Sequence, residues 1–299
     1  MAGTVLVRYG ELALKSAPVR REFESALRRN ILDLFVAEGL PARLRSDRGH
    51  LYVEADDPAR AARVLRRVFG VTSVSAVYEC ASDRASIRER LLTLADPRLP
   101  AHTSFAVRAR RTGQHPFTSQ EIARDVGEDV LERFADRELR VDLGHPDVEL
   151  FVEVRGPKTY LSFDRLEGPG GLPLGVAGRL VALVDGPRGA LGAYLMMKRG
   201  CRVGLLAAAD GAGLAQGVLR RFDPEVRVES APEGAEAWVP LLTSMADHSH
   251  ADGVVLPLRV EEYPQAREAW GDRVLFSPTV GLTEEEVSLR WQRVTELAA

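Results

Sequence analysis

Residues 179–208 read RLVALVDGPRGALGAYLMMKRGCRVGLLAA, and the pattern of their apolar residues changes twice within thirty positions. Arg179–Val184 is an apolar run of strand length. A tight turn, Val184-Asp185-Gly186-Pro187-Arg188-Gly189, leads into a helix over Ala190–Lys198. Arg202–Ala208 then returns to a nearly all-apolar strand. The alternation continues downstream, with helices expected over Gly211–Arg221 and Ala235–Ala246 and strands over Val226–Glu229, Gly253–Leu256 and Arg273–Phe276. A last helix opens with Thr283 and Glu286 at capping-box spacing and places Val287, Trp291 and Val294 on one face. Strands and helices in turn imply a mostly parallel sheet covered on both faces, a doubly wound α/β domain over residues 179–299.

Working back from that domain, Gly168–Gly178 (GPGGLPLGVAG) is rich in glycine and proline. It suits a linker or a phosphate cradle, and the domain plan takes it as a linker. Residues 81–167 form an α+β unit. Its parts are a helix over Ser82–Leu94, a strand over Phe105–Arg110, and a helix capped by Thr118 or Ser119 and running to about Phe134. A hairpin of Val148–Val154 and Thr159–Phe163 turns through Arg155–Lys158.

Residues 1–80 give strand Thr4–Tyr9 and a helix from Val19 to Glu38 with Phe23, Leu27, Ile31, Leu34 and Phe35 at helical spacing. Strands Ala42–Ser46 and Leu51–Ala55 follow, turning at Asp47–His50, then a helix capped by Asp57 and Pro58, and strand Val71–Tyr78. That βαββαβ order predicts a ferredoxin-like sandwich.

The chain has 299 residues, 45% of them apolar and 28% charged, a composition that argues against wholesale disorder. No apolar run approaches the roughly 18 residues of a membrane span. Arg8 and Glu11 interrupt the apolar start that a signal peptide needs. Cys80 and Cys201 are too few for a disulfide framework or a four-cysteine zinc site. A soluble, cytoplasmic protein with no membrane partner is the expectation.

Charge is uneven. Residues 1–115 carry 20 Lys/Arg against 13 Asp/Glu, whereas residues 201–299 carry 9 against 16. A basic front half suits an anionic partner, although chance unevenness on solvated faces gives the same counts.

Two local constellations bear on chemistry. In a doubly wound sheet ligands bind beyond the carboxyl ends of the strands, which brings the 184–189 turn forward. Gly186 and Gly189 suit a phosphate turn and Arg188 supplies charge, but Asp185 repels phosphate and Pro187 lacks an amide donor. Asp247-His248-Ser249-His250 with Asp252 has a His-x-His spacing that a metal could use. Its place between a helix and a strand is where solvated loop residues belong, and no metal is expected there.

Several longer segments resemble the tRNA 4-thiouridine synthetase (tRNA sulfurtransferase, ThiI) family. RYGELALKS…VRREFESALRRNI is similar to the start of that family's N-terminal ferredoxin-like domain. FAVRARRTGQHPFTSQEIARDVGEDVLE followed by VELFVEVRGPKTYLSF resembles its THUMP RNA-binding domain. GPGGLPLGVAGRLVALV…GAYLMMKRGC resembles the entry to its PP-loop ATP-pyrophosphatase domain. The resemblance spans residues 1–201 and implies three parts. They are an α+β ferredoxin-like domain at 1–80, an α/β THUMP domain at 81–167, and, after the linker at 168–178, an α/β PP-loop-like domain at 179–299.

The same resemblance marks losses. Where the family loop has Ser-Gly-Gly-x-Asp-Ser, this chain has Val184, Asp185, Gly186, Pro187, Arg188 and Gly189, so one glycine survives while the hydroxyls and the carboxylate needed for chemistry are gone. No cysteine follows Cys201, so the family's catalytic cysteine has no counterpart, and no rhodanese-type carrier is present. No catalytic residue is therefore assigned. ATP and magnesium are expected only if the altered loop works, with a nucleotide then placed at Ala182, Leu183, Val184, Gly186, Ala207 and Ala208.

The family's tRNA would meet Arg108, Arg110 and Arg111, then Gln114, His115 and Phe117 in the following loop. Arginine grips phosphate through two parallel hydrogen bonds, and an aromatic ring stacks on an unpaired base. Arg8, Lys15, Lys198 and Arg199 extend this candidate set. Arginines on an edge strand also serve solubility and block edge pairing.

The resemblance thus implies a tRNA-binding, catalytically silent homologue in tRNA modification, paired as a homodimer and working beside a sulfur carrier or an active enzyme. An active sulfurtransferase and a protein scaffold in sulfur or thiamine metabolism are the alternatives.

Overall fold

The computed structural model describes residues 3–10, 16–47, 50–234 and 237–299. The N-terminal elements are β1 (Gly3–Tyr9), α1 (Ala17–Ala37), β2 (Ala42–Asp47), β3 (His50–Ala55), α2 (Pro58–Leu65) and β4 (Val71–Ala81), in the βαββαβ order that the sequence predicts. Asp57 starts α2 by accepting the Arg60 amide at 2.9 Å, ahead of Pro58, whose missing N–H costs nothing at that position. The expected Asp47–His50 turn includes Arg48 and Gly49, which lie outside the described residues.

Next come α3 (Arg84–Ala95), β5 (Ser104–Thr112), α4 (Ser119–Arg133), β6 (Arg140–Val141), β7 (Val148–Arg155), β8 (Lys158–Ser162) and β9 (Leu166–Glu167). The expected hairpin forms from β7 and β8, with Arg155 opposite Lys158 across the two-residue turn Gly156-Pro157. Gly156 takes φ 55° there, a left-handed value that glycine adopts without strain. Among the described residues the first sheet runs β2-β3-β1-β4-β8-β7-β5-β6, and β9 pairs with β4.

The C-terminal elements are β10 (Arg179–Val184), α5 (Pro187–Lys198), β11 (Arg202–Ala207), α6 (Ala209–Gly217), β12 (Val228–Ser230), α7 (Trp238–Ser249), β13 (Gly253–Val255), α8 (Tyr263–Trp270), β14 (Leu275–Phe276) and α9 (Glu284–Ala298). The strand order is β12-β11-β10-β13-β14 with every pair parallel. The sheet is doubly wound, as expected, and α9 opens with the Thr283–Glu286 capping box.

The differences are local. The second of the expected helices here starts at Trp238, whereas Ala235 and Glu236 are not described. The expected Gly211–Arg221 helix is cut at Gly217 and continues only as a 3-10 turn over Leu219–Arg221. Helix α8 was not anticipated, because four of its eight residues are polar or proline and it buries only Trp270.

Two compact units divide the chain, one of Met1–Leu6, Tyr52–Ala62 and Ser75–Leu166, the other of Val7–Leu51, Arg63–Val74 and Glu167–Ala299. The first holds a core of Ile87, Leu91, Phe105, Ile122, Val126, Val130 and Leu150 between α3, α4 and the sheet. In the second, the α/β core includes a residue from far upstream: Phe69 lies 5.3 Å from the ring of Tyr194 and 5.5 Å from that of Phe222.

Within the second unit the Gly168–Gly178 segment is bonded along its length. Gly168 N donates to Thr72 O, Gly170 N to Val71 O, and Leu172 N to Lys198 O. Gly175 N and Ala177 N both reach Gly200 O. A Cβ on Gly171 would stand 2.1 Å from Lys198 O and one on Gly178 would stand 2.2 Å from Asp252 Oδ2. These two glycines are needed for close packing, and five of the amides that a phosphate cradle could present, those of Gly168, Gly170, Leu172, Gly175 and Ala177, are already occupied by backbone carbonyls.

Candidate functional site

Strand β5 carries three of the arginines, and its register against β7 sets their surroundings: Arg108 lies beside Phe151 and Arg110 beside Glu153. Phe105, Val107 and Ala109 face the core, so Arg108 and Arg110 share the opposite face. A cavity of about 490 Å³ lies over that face, with Arg108, Arg110, Glu149 and Glu153 among its walls and Ser119 and Gln120 of α4 at its edge.

The charges in it are not equivalent. Arg108 is half-buried, pairs with Glu149 at 2.8 Å and donates to Leu143 O at 2.8 Å. Arg155 holds the buried Glu153 at 2.6 Å. Both carboxylates are matched, so Arg110 contributes the unmatched charge. Arg110 and Arg111 are exposed and, among the described residues, have no carboxylate partner.

Beyond β5 the chain folds back on itself. Arg111 Nη1 donates to Gly113 O at 3.2 Å, His115 Nε2 lies 3.3 Å from Thr112 O, and Gln114 is exposed. The capping box of Thr118 and Glu121 then fixes the start of α4. Phe117 corrects the expectation of a base-stacking ring. It is 3% exposed in the core, with Arg84 over its ring at 5.4 Å, because the turn into α4 carries it inward. His115 covers Phe117 and stacks on it at 5.7 Å, so the imidazole is the aromatic surface nearest to solvent.

Arg8 is corrected too. Set in the middle of the sheet, it is only 8% exposed, which excludes an open phosphate contact. Lys15 lies outside the described residues. Lys198 and Arg199 end α5, in the other compact unit.

In the α/β domain the strand order reverses between β10 and β13, and a crevice outside the carboxyl ends of such strands is the default ligand position. Ala182, Leu183, Val184 and Ala207 are buried in the sheet. Gly186 caps α5 and Ala208 caps α6, both half-buried.

Each unusual residue of the turn has a packing role. A Cβ on Gly189 would come within 2.5 Å of Leu183 O, so this glycine lets α5 approach β10. Pro187 occupies the first helical position. Arg188 is buried and engaged at both terminal nitrogens: Nη1 donates to Thr279 O at 2.7 Å, and Nη2 to Leu282 O at 2.8 Å and to Glu284 at 2.9 Å. It supplies no charge for a phosphate, which corrects the sequence expectation. Burial raises the Asp185 carboxyl above its ordinary range, and nearby Glu262 adds to the effect against Arg188. With no hydroxyl, a proline amide missing and Arg188 engaged by Thr279, Leu282 and Glu284, the turn lacks the donors that the phosphates of the ATP–magnesium group implied by the resemblance would need, and does not fit it.

Both thiols are held towards their protonated form. Burial pushes Cys80 up to about 11 and also raises Cys201, whose Sγ donates to Ala177 O at 3.2 Å. The His-x-His run is divided among other tasks. Asp247 pairs with Arg273, His248 Nδ1 lies 2.7 Å from Ser244 O, and Asp252 accepts the Arg179 amide. Among the described residues no cluster of His, Cys, Asp and Glu is set to hold a metal, and no helix is long and apolar enough to cross a membrane.

Sequence reading missed the carboxylates that neutralise these sites. Glu284 is 96 residues from Arg188, and no local pattern announces that contact. Glu153 and Arg155 did carry a signal, since residues two apart in a strand share a face.

Residues 4–75 match the ThiI ferredoxin-like domain and residues 81–164 match the THUMP domain. A probable tRNA sulfurtransferase of Methanosarcina acetivorans is 40% identical over 204 residues, covering 67% of this chain and 49% of the relative. That of Methanothermobacter thermautotrophicus is 40% identical over 205 residues, covering 67% and 51%. The chain thus spans about half the length of the curated relatives it matches. Among solved structures, the crystal structure of PH1313 from Pyrococcus horikoshii superposes with a TM-score of 0.79 at 29% identity, covering 98% of this chain and 99% of that one. A 4-thiouridine synthetase crystallised with RNA and ATP gives 0.78 at 22% identity, covering 100% and 86%, a likeness of fold alone.

Proposed function

The chain belongs to the ThiI-type tRNA sulfurtransferase family through its ThiI ferredoxin-like and THUMP domains, and on that premise we propose that it binds tRNA for modification without itself activating the base. One observation carries the silent half of this reading. Asp185 stands where the loop of a pyrophosphatase needs donors, while Arg188 is engaged by Thr279, Leu282 and Glu284. Phosphoryl and adenylyl chemistry depends on donors arranged in advance around the phosphates, and a buried carboxylate opposes that arrangement. Neither thiol has the thiolate character that sulfur transfer needs.

The binding half rests on β5. Arg110 and Arg111 are open to solvent, Gln114 is exposed and His115 is half-buried against Phe117. Two guanidinium groups and an amide at the end of one strand suit a phosphate backbone, and the imidazole offers a stacking surface for one unpaired base. In this reading sulfur delivery belongs to a separate active enzyme or carrier, and pairing of two copies around one tRNA follows the family expectation.

The decisive experiment scores pyrophosphate release from ATP by the full chain, with and without unmodified tRNA, and tRNA retained on a filter from the same tubes. Retention without release is the expected result. Release stimulated by tRNA would overturn silence, and absence of retention would overturn RNA binding.

A further inference from the structure

Lys198 and Arg199 finish α5, and beside them, within the same compact unit, opens a cleft of about 440 Å³. Its floor is apolar and half-buried: Leu172, Leu195, Met196 and Pro278. Lys198, Arg199 and Arg290 of α9 also line it, and none of its lining residues is acidic. Gly171 makes one wall possible. Its φ is +72°, and any Cβ there would meet Lys198 O, so only glycine lets the 168–178 segment run this close to the helix end.

Cations at a helix C-terminus ordinarily answer the open carbonyls of the last turn. Here backbone amides already do so: Leu172 N reaches Lys198 O at 3.0 Å, Gly200 N reaches Met197 O at 2.9 Å, and Cys201 N reaches Met196 O at 3.2 Å. Among the described residues none of the three side chains forms an ion pair; the nearest acid in sequence on α9, Glu286, caps that helix instead. Three cations therefore border an apolar floor that no acidic residue lines, and only Arg290 feels a carboxylate, that of Glu286 one turn away on α9.

We propose that this cleft holds one unpaired nucleotide of a bound RNA, its phosphate against Lys198, Arg199 and Arg290 and its base on the floor formed by Leu172, Leu195, Met196 and Pro278. Three cations and no lining acid select an anion, and the apolar floor selects one with a flat, poorly hydrated part, which a bare phosphate or an acidic side chain lacks. The arginine planes add stacking surface for a base. The volume lies within the ordinary range for a small-ligand cleft. The proposal rests on the RNA-binding reading and adds a second contact region to it.

The test compares retention of two RNAs by the full chain, a blunt duplex and the same duplex with a short single-stranded overhang. In wild type the overhang should tighten binding. Arg199→Ala with Arg290→Ala, and separately Met196→Glu, should remove most of that gain, roughly tenfold, and leave the blunt duplex unchanged. The double variant should also lower the salt slope by about 0.7, the value for one single-strand phosphate. All three side chains are partly or fully solvent-exposed, and an unchanged melting temperature checks that the variants fold. If the blunt duplex binds and the overhang adds nothing, the cleft proposal fails and the RNA-binding reading stands. A glutamate-rich peptide that competes as well as the overhang RNA would assign the cleft to an acidic protein segment and overturn the proposal. Failure of wild type to hold either RNA overturns both.

Discussion

Arg188 Nη2 lies 2.9 Å from the Glu284 carboxylate, and the same carboxylate takes Arg259 at 2.8 Å. Two arginines from different segments thus meet at the first residue of α9. Hydrogen bonds from Arg259 and then Arg188 hold Glu284 below the usual carboxylate range. The turn that would face a phosphate is thereby tied, through its own cation, to the last helix of the domain.

Arg188→Ala should accordingly weaken the fold rather than nucleotide binding. It removes the side-chain donor from Leu282 O and from Thr279 O, which keeps only the Leu282 amide, and leaves Glu284 with one arginine, at a cost of about 2–4 kcal/mol. Arg188→Lys should recover little, because one ammonium cannot span three acceptors in a fork geometry. Urea denaturation followed by circular dichroism measures both. An unchanged midpoint in the alanine variant would mean that this network contributes nothing.

Asp185 gives a pH-dependent prediction. Burial raises its carboxyl, so the folded chain holds that proton more tightly than the unfolded chain does. Stability from this group is then greatest below the unfolded value, about 3.9, and falls as pH rises through the folded one. Asp185→Asn should raise the melting temperature at pH 7, with the gain shrinking towards pH 4. A gain that persists undiminished at pH 4 would show that the carboxylate's charge is not the cause.

Phe69 reads in the sequence as one more apolar residue after the helix that Asp57 caps, and α2 stops short of it at Leu65. Its ring, however, packs on Tyr194 and Phe222, more than a hundred residues away. Phe69→Ala should cost about 3–5 kcal/mol. The loss should register in hydrogen exchange of the β10 and β11 amides; protection there unchanged from wild type would refute the assignment of this ring to the α/β core.

Adjacent glycines of α6 should respond in opposite senses. A Cβ on Gly211 would fall 1.8 Å from Val184 O, whereas Gly213 has nothing within 4 Å. Gly211→Ala should destabilise by about 1–3 kcal/mol through displacement of the helix from β10. Gly213→Ala should stabilise by about 0.5–1 kcal/mol, by restricting the unfolded chain in a position already helical. Equal melting temperatures for the two variants would contradict the packing.

The order of elements was legible because each element carries its own period and stop signal: Thr118–Glu121 and Thr283–Glu286 cap the helices that the sequence places there. The candidate sites were only half legible. Residue type suggested a phosphate turn and a stacking ring, but type does not say which way a side chain faces. Phe117 turns inward, Arg8 sits in mid-sheet, and Arg188 finds carbonyls beyond residue 278. The glycine-rich crossing showed the same limit, since its composition matches a flexible linker while the amides of Gly168, Gly170, Leu172, Gly175 and Ala177 are bonded to backbone carbonyls. What decides these cases is long-range pairing, which no local spacing records.

That distinction ranks the arginines of β5. Arg108 is matched by Glu149 and anchored to Leu143 O, so Arg108→Ala should change tRNA affinity by less than about threefold, because a pre-paired guanidinium has little charge left to offer. Among the described residues Arg110 and Arg111 form no ion pair, and Glu153 beside Arg110 is held by Arg155. Replacing both by alanine should weaken retention about tenfold or more at low salt and lower the slope of log affinity against log salt by about one for each. Binding measured from 50 to 200 mM salt separates the two classes of residue. If the Arg108 variant loses as much as the double variant, the Glu149 pair must open to admit RNA, and exposure in the free chain is then the wrong guide to this face.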